Sequence, residues 1–189
     1  MIVKHLKISI LILLVVLCAI GPVWGLQRQV GEYQVKAAFL YNFAKFVDWP
    51  SCSTCKVSDV LVVGILGEDP FGEAIQSIDG KRVKEKTLRV IRAGSLDELR
   101  GSDIIFISAS AKKELPKILK ILEGKPVLTV GDTNGFAQKG VMINLFESEN
   151  KIRFEVNPSA AEKAGLKISS QLLRLAKIIT REDNPGGQQ

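Results

Sequence analysis

The chain has 189 residues, 46% apolar and 24% charged, and its 26 basic and 20 acidic side chains leave a formal net charge of +6. That length suits one domain with a substantial core and is short for two. The positive charge is mild and scattered over Lys81, Arg82, Lys84, Lys86 and Arg89, over Lys112, Lys113, Lys117 and Lys120, and along the C-terminal segment, which excludes the dense basic stripe interleaved with aromatics that nucleic acid demands.

At the N-terminus, Lys4, His5 and Lys7 precede a run without charge over residues 8–20. This run is shorter than the ~20 apolar residues of a spanning helix and has the length of a signal-peptide core. Val23 and Gly25 stand at the two positions a signal peptidase reads, so cleavage is expected after Gly25. Cys18 would suit lipidation, but Leu17 stands before it where a small residue is wanted. Residues 1–25 are thus expected to be a cleaved signal peptide that delivers the protein to the periplasm. The expected remainder is one domain over 26–183 and a disordered tail over 184–189.

His5 is the only histidine, and cleavage would remove it. Ser/His/Asp and Cys/His nucleophile systems lose their usual proton carrier, and zinc sites built with imidazole are excluded. No cofactor motif and no metal motif is present, and the chain is expected to be a binding protein rather than an enzyme.

Apolar residues at helical spacing predict an amphipathic helix over 30–47, with Phe39, Phe43 and Phe46 widening its apolar face until burial on more than one side is required. Trp49 and Pro50 stop it, and 51–59 is a polar loop. Strands are expected at 60–66, 87–91, 103–108 and 126–130, with a short edge piece at 81–83. Helices are expected over 70–78 and from a Ser110 cap to Leu122, where Gly124 ends the second. After a glycine-rich loop over 131–140, strands 141–145 and 151–156 form a hairpin. Asn157 or Ser159 then caps a short helix that Gly165 breaks, and a longer helix covers 169–179. This alternation predicts an α/β three-layer sandwich around a mostly parallel sheet of about five to six strands.

Three features could carry chemistry. Cys52 and Cys55, spaced C-x-x-C, follow a helix and a Trp-Pro break, whereas a thioredoxin-like pair follows a strand and opens a helix. A structural disulfide is therefore favoured over a redox site. Glu68, Asp69, Ser108, Ser110, Asp132 and Thr133 all fall just past the carboxyl ends of expected parallel strands, where open α/β sheets bind small molecules, so they form a candidate ligand crevice. The segment from Gly67 to Gly72 is not a phosphate loop, since Glu73 and Ala74 stand where lysine and a hydroxyl residue belong. Tyr41, Phe46 and Trp49 belong to more aromatic surface than one sheet can cover, and are candidates for contact with a partner or a second copy.

The segments VKAAFLYNFAKFVDWP (35–50), PVLTVGDTNGFAQKGVMINL (126–145) and IRFEVNPSAAEKAGLKISSQLLRLAKII (152–179), together with the strand VLVVGILGEDPFG, resemble the YfiR-like periplasmic proteins. The resemblance implies a soluble periplasmic regulator with an α/β sandwich that can dimerise. It also implies a partner: such proteins bind the periplasmic part of an inner-membrane diguanylate cyclase, or a related sensor, and hold it inactive, so that release raises cyclic di-GMP and changes biofilm behaviour. The regulator's disulfides tie its activity to redox state. This chain departs from that pattern, having one close-spaced cysteine pair where the repressor has two wider disulfides.

The loop closed by a Cys52–Cys55 bond is short, so the chain entropy it removes is small. The Cys52→Ser, Cys55→Ser double variant is expected to melt only slightly below the parent and to retain partner binding. Loss of all regulation from a folded double variant would overturn the structural reading.

Overall fold

In the computed structural model, which describes residues 23–50 and 58–180, the chain opens with helix α1, Val23–Phe46. Residues 1–22 of the expected signal peptide, and the expected tail over 184–189, lie outside the described residues. The helix contains most of the expected 30–47 stretch but begins earlier, so the expected cut after Gly25 would fall in its first turn. It ends at Phe46 because Val47 and Asp48 turn extended as strand β1 and pair antiparallel with β9, Lys167–Ile168.

Eight strands form the main sheet: β2 (Val60–Leu66), β3 (Arg82–Val83), β4 (Lys86–Ala93), β5 (Ile104–Ile107), β6 (Leu128–Gly131), β7 (Ile143–Ser148), β8 (Lys151–Val156) and β10 (Lys177–Ile178). Their order is β10-β8-β7-β6-β5-β2-β4-β3. The pairs β7–β8 and β3–β4 are antiparallel and the others parallel. The strand count thus exceeds the expected five to six through two short edge strands. One is the anticipated edge piece β3. The other, β10, replaces the second half of the expected helix over 169–179. Helix α4 covers only Ser170–Leu175, because Ala176 leaves helical geometry and Lys177 and Ile178 pair with Glu155 and Val156 of β8.

Alternate side chains of the central strands enter opposite cores, as the two-residue period of a strand requires. Leu61, Val63, Ile65, Ile104 and Phe106 join α1, together with α3 (Pro158–Lys163) and α4, in one apolar cluster. Leu66, Ile105 and Ile107 face the other way, against α2 (Leu115–Leu122) and Phe136. Helical structure therefore covers both faces, but the second cover is thin. The stretch after Ser108 begins as a 3₁₀ helix and turns α-helical only at Leu115, and the expected helix over 70–78 is a 3₁₀ helix, Gly72–Ser77.

Local caps follow the expected chemistry in part. The Asn157 side chain accepts the Ala160 N–H at 3.0 Å and starts α3, while Ser169 does the same for Leu172 in α4. Ser110 makes no cap; its hydroxyl is engaged elsewhere, as described below.

Phe43 is fully buried and its ring meets Phe39 at 5.8 Å and Phe154 at 5.3 Å. Cutting such a side chain back removes its burial and leaves a cavity, so Phe43→Ala is expected to lower the unfolding free energy by about 3 to 5 kcal/mol in urea titration.

Candidate functional site

The connection from β2 to β4 crosses the α1 face through Phe71 and Ile75, and the connection from β4 to β5 crosses the opposite face through Leu96 and Leu99. The loops after β2 and β5 therefore diverge, which makes this the switch point where open α/β sheets place ligands. Here it is bridged by the protein's own groups. Ser110 Oγ accepts the Glu68 N–H at 2.9 Å and lies 2.7 Å from Ser108 Oγ. Gly67 makes the bridge possible: it has a φ of +91°, and a Cβ there would stand 2.5 Å and 2.6 Å from the two serine hydroxyls. Asp69 is engaged as well, accepting the Phe71 N–H at 2.7 Å and pairing with Arg92 Nε at 2.6 Å. The Glu68 side chain faces solvent.

Asp132, just past β6, lies in a second group. Its carboxylate accepts the Tyr33 hydroxyl at 3.0 Å and the Lys36 ammonium at 2.7 Å, and Lys36 also meets Glu32 at 2.6 Å. The Lys36 and Asp132 side chains are only 5% and 6% exposed, so this pair is nearly sealed from water. Tyr33 packs its ring edge against Phe71 at 5.3 Å, and Phe71 packs against Phe106, which joins the polar group to the apolar core. The Thr133 hydroxyl is buried without a hydrogen-bond partner.

Burial acts against the Lys36 ammonium, but its hydrogen bonds to Asp132 and Glu32 outweigh that and hold its pKa above the ordinary 10.5. Burial, then the Asp132 charge, pushes the Tyr33 phenol up to about 12. The six crevice candidates thus divide into the Ser108–Ser110 bridge, the Asp69–Arg92 pair, the Asp132 cluster with the unpartnered Thr133, and the exposed Glu68. Lys36, Tyr33 and Glu32 were not among the residues expected here. A lysine at position 36, flanked on the helix by Tyr33, Ala37 and Leu40 at apolar spacing, is the signal that marks it as inward-facing.

The aromatic candidates are all half-buried against the α1 core. The Tyr41 hydroxyl donates to the Arg82 carbonyl at 3.0 Å, with the Lys45 and Lys81 ammonium groups each 5.5 Å from its ring. Trp49 Nε1–H donates to the Asp103 carbonyl at 3.3 Å, ahead of β5. Cys52 and Cys55 lie outside the described residues. Among the described residues no group of three His, Cys, Asp or Glu side chains is placed to hold a metal ion, and no helix is long and apolar enough to cross a membrane.

Removing the cation from the buried pair leaves Asp132 charged and short of a partner, so Lys36→Met is expected to cost about 3 kcal/mol, with Lys36→Met, Asp132→Leu recovering much of it. The folded state holds the Tyr33 and Lys36 protons more tightly than the unfolded chain does. Stability from this group is therefore complete below about pH 10 and declines as the pH rises towards 12. Urea midpoints across that range, compared with those of Tyr33→Phe, measure the effect.

No curated protein matches the chain closely enough to count as a relative. Among solved structures, a conserved domain protein of Vibrio cholerae is similar at 10% identity and a TM-score of 0.52, covering 78% of this chain and 60% of that one. An ABC domain from Streptococcus pneumonia in complex with L-Trp is similar at 10% identity and a TM-score of 0.47, covering 64% of this chain and 55% of that one. The chain thus spans a little over half the length of these two structures, and the first likeness is one of fold. The YfiR/HmsC-like family model matches residues 33–177, from Tyr33 at the Asp132 cluster to the start of β10, and the chain belongs to that family.

Proposed function

We propose that this chain is a periplasmic regulator that binds the periplasmic domain of an inner-membrane signalling enzyme, of the diguanylate cyclase kind, and holds it inactive. The observation that carries the reading is the family match over residues 33–177. The strand ends support it. The serine hydroxyls at the switch point and the ionic groups around Asp132 are taken up in holding loops and α1 in place, which suits a scaffold that acts through its surface.

Tyr41 is our candidate anchor. It sits on the rim formed by α1 and β3 and is flanked by two lysines. That combination of an aromatic ring and positive charge fits an acidic partner surface, and aromatic anchors of this kind dominate binding energy at protein contacts. Phe46 and Trp49 border the same end of α1 and extend the candidate contact.

Deleting the gene is expected to raise cellular cyclic di-GMP, and the tagged protein is expected to retain a cyclase or sensor from native membranes. Unchanged cyclic di-GMP together with no retained membrane enzyme would overturn the proposal. Tyr41→Ala loses one exposed hydrogen bond and half-buried packing against the α1 core and is expected to cost about 2 kcal/mol in stability while weakening partner binding about tenfold or more. Trp49→Ala, which loses packing as well as its bond to Asp103, is expected to melt further below the parent. Equal partner affinity for Tyr41→Ala and the parent would move the contact elsewhere.

A further inference from the structure

At the sheet edge opposite Asp132, a cavity of about 580 Å³ opens between the C-terminal turn of α2, the loop entering β7, the start of α3 and the end of β10. It is independent of the candidate crevice, because it lies at the amino ends of β6 and β7. Its volume falls in the range of small-molecule pockets. Leu119, Leu122, Met142 and Ile179 supply apolar wall, and Ile178, 41% exposed, continues that wall to the surface. Of the polar groups in the wall, Thr129 Oγ1 accepts the Met142 N–H at 3.0 Å and Asn157 is bonded through both its amide nitrogen and its oxygen, whereas Gln138 Oε1 is buried without a partner.

The charge at the opening is one-sided. Lys120, Lys139 and Lys163 all line the cavity and are exposed, against a single acid among the described residues, Glu123. The ion pairs among the described residues leave all three lysines out. An apolar hollow fringed by uncompensated ammonium groups matches a molecule with an apolar body and an anionic head. Among the described residues no aromatic side chain lines the cavity, so a planar ring finds nothing there to stack on, whereas leucine, isoleucine and methionine walls suit an alkyl chain.

We propose that this cavity binds an amphipathic aliphatic anion, its alkyl chain between α2 and β10 and its head among Lys120, Lys139 and Lys163. The inference does not depend on the regulatory reading above.

Calorimetric titration of the full chain with hexanoate, octanoate and decanoate tests it, with decylamine as the oppositely charged control. Affinity is expected to rise up to about fourfold per added methylene until the chain fills the cavity, and decanoate is expected to exceed decylamine by at least tenfold. Ser159→Trp, at an exposed position in the lining, is expected to melt with the parent and lose decanoate. The Lys120→Gln, Lys139→Gln, Lys163→Gln variant is expected to lose the preference for the anion. Flotation with phosphatidylglycerol vesicles separates two sources of the same chemistry. Flotation abolished by Ser159→Trp assigns the anion to a lipid, and decanoate binding without flotation assigns it to a free carboxylate. No decanoate binding at millimolar concentration, equal binding by Ser159→Trp, or equal affinity for decylamine would each overturn the proposal.

Discussion

Helix α1 turns Ala37, Leu40, Phe43 and Ala44 wholly away from water, as β1 does Val47, and most of the remaining architecture serves to cover that surface. The central strands β2 and β5 contribute Val63, Ile65, Ile104 and Phe106 to it, and the far hairpin contributes Phe154. Burial of this extent is the main favourable term in folding. It also explains why Phe39, Tyr41, Phe46 and Trp49 end up half-covered: they flank the buried stripe, where the sheet's cover thins out at the rim.

A lysine on such a helix face has to be neutralised or excluded, since burying a lone charge costs far more than a hydrogen bond returns. The chain resolves this by ending β6 at Gly131 and placing Asp132 next, so that a carboxylate meets the Lys36 ammonium. Gly131 matters for a separate reason: a Cβ there would stand 2.6 Å from the Phe136 ring, so the glycine lets Phe136 fold back under the strand end. Neighbouring residues at one strand end thus serve the two faces of the sheet, the acid for α1 and the glycine for the opposite core.

Much of this was legible from residue patterns. Strands 60–66 and 151–156 have the boundaries that their apolar runs imply, and of the two expected cap candidates, Asn157 and Ser159, Asn157 makes the cap. The misreadings share a cause: local pattern does not reveal what lies across the sheet. Ile178 and Ile179 continue the helical spacing of 169–175, yet the free edge of β8 draws residues 177–178 into a strand. Ser110 has the chemistry of a cap, but the Glu68 amide 42 positions away takes its hydroxyl. The strand-end position of Asp132 was readable, and its partners on α1 were not, because nothing local says that residue 36 will lie over residue 132. The cavity was out of reach for the same reason, being made by five separated segments.

The short pairing of β1 with β9 ties Val47 to Ile168 across most of the chain, and the rings of Phe39 and Phe43 meet Phe154 over a similar span. A chain made from its N-terminus therefore produces its longest described helix early and part of the surface that shelters it last. Until residues 154–168 have been made, those rings lack Phe154 and β1 lacks its partner strand, so part of the helix face stays uncovered through most of synthesis. Contacts so distant in sequence slow folding, and exposed apolar surface invites misassociation in the interval. The same closure makes the described fold intolerant of truncation: losing the segment after β8 would remove the partner of β1 and strip cover from α1, so the first and last thirds of the domain stand or unravel together.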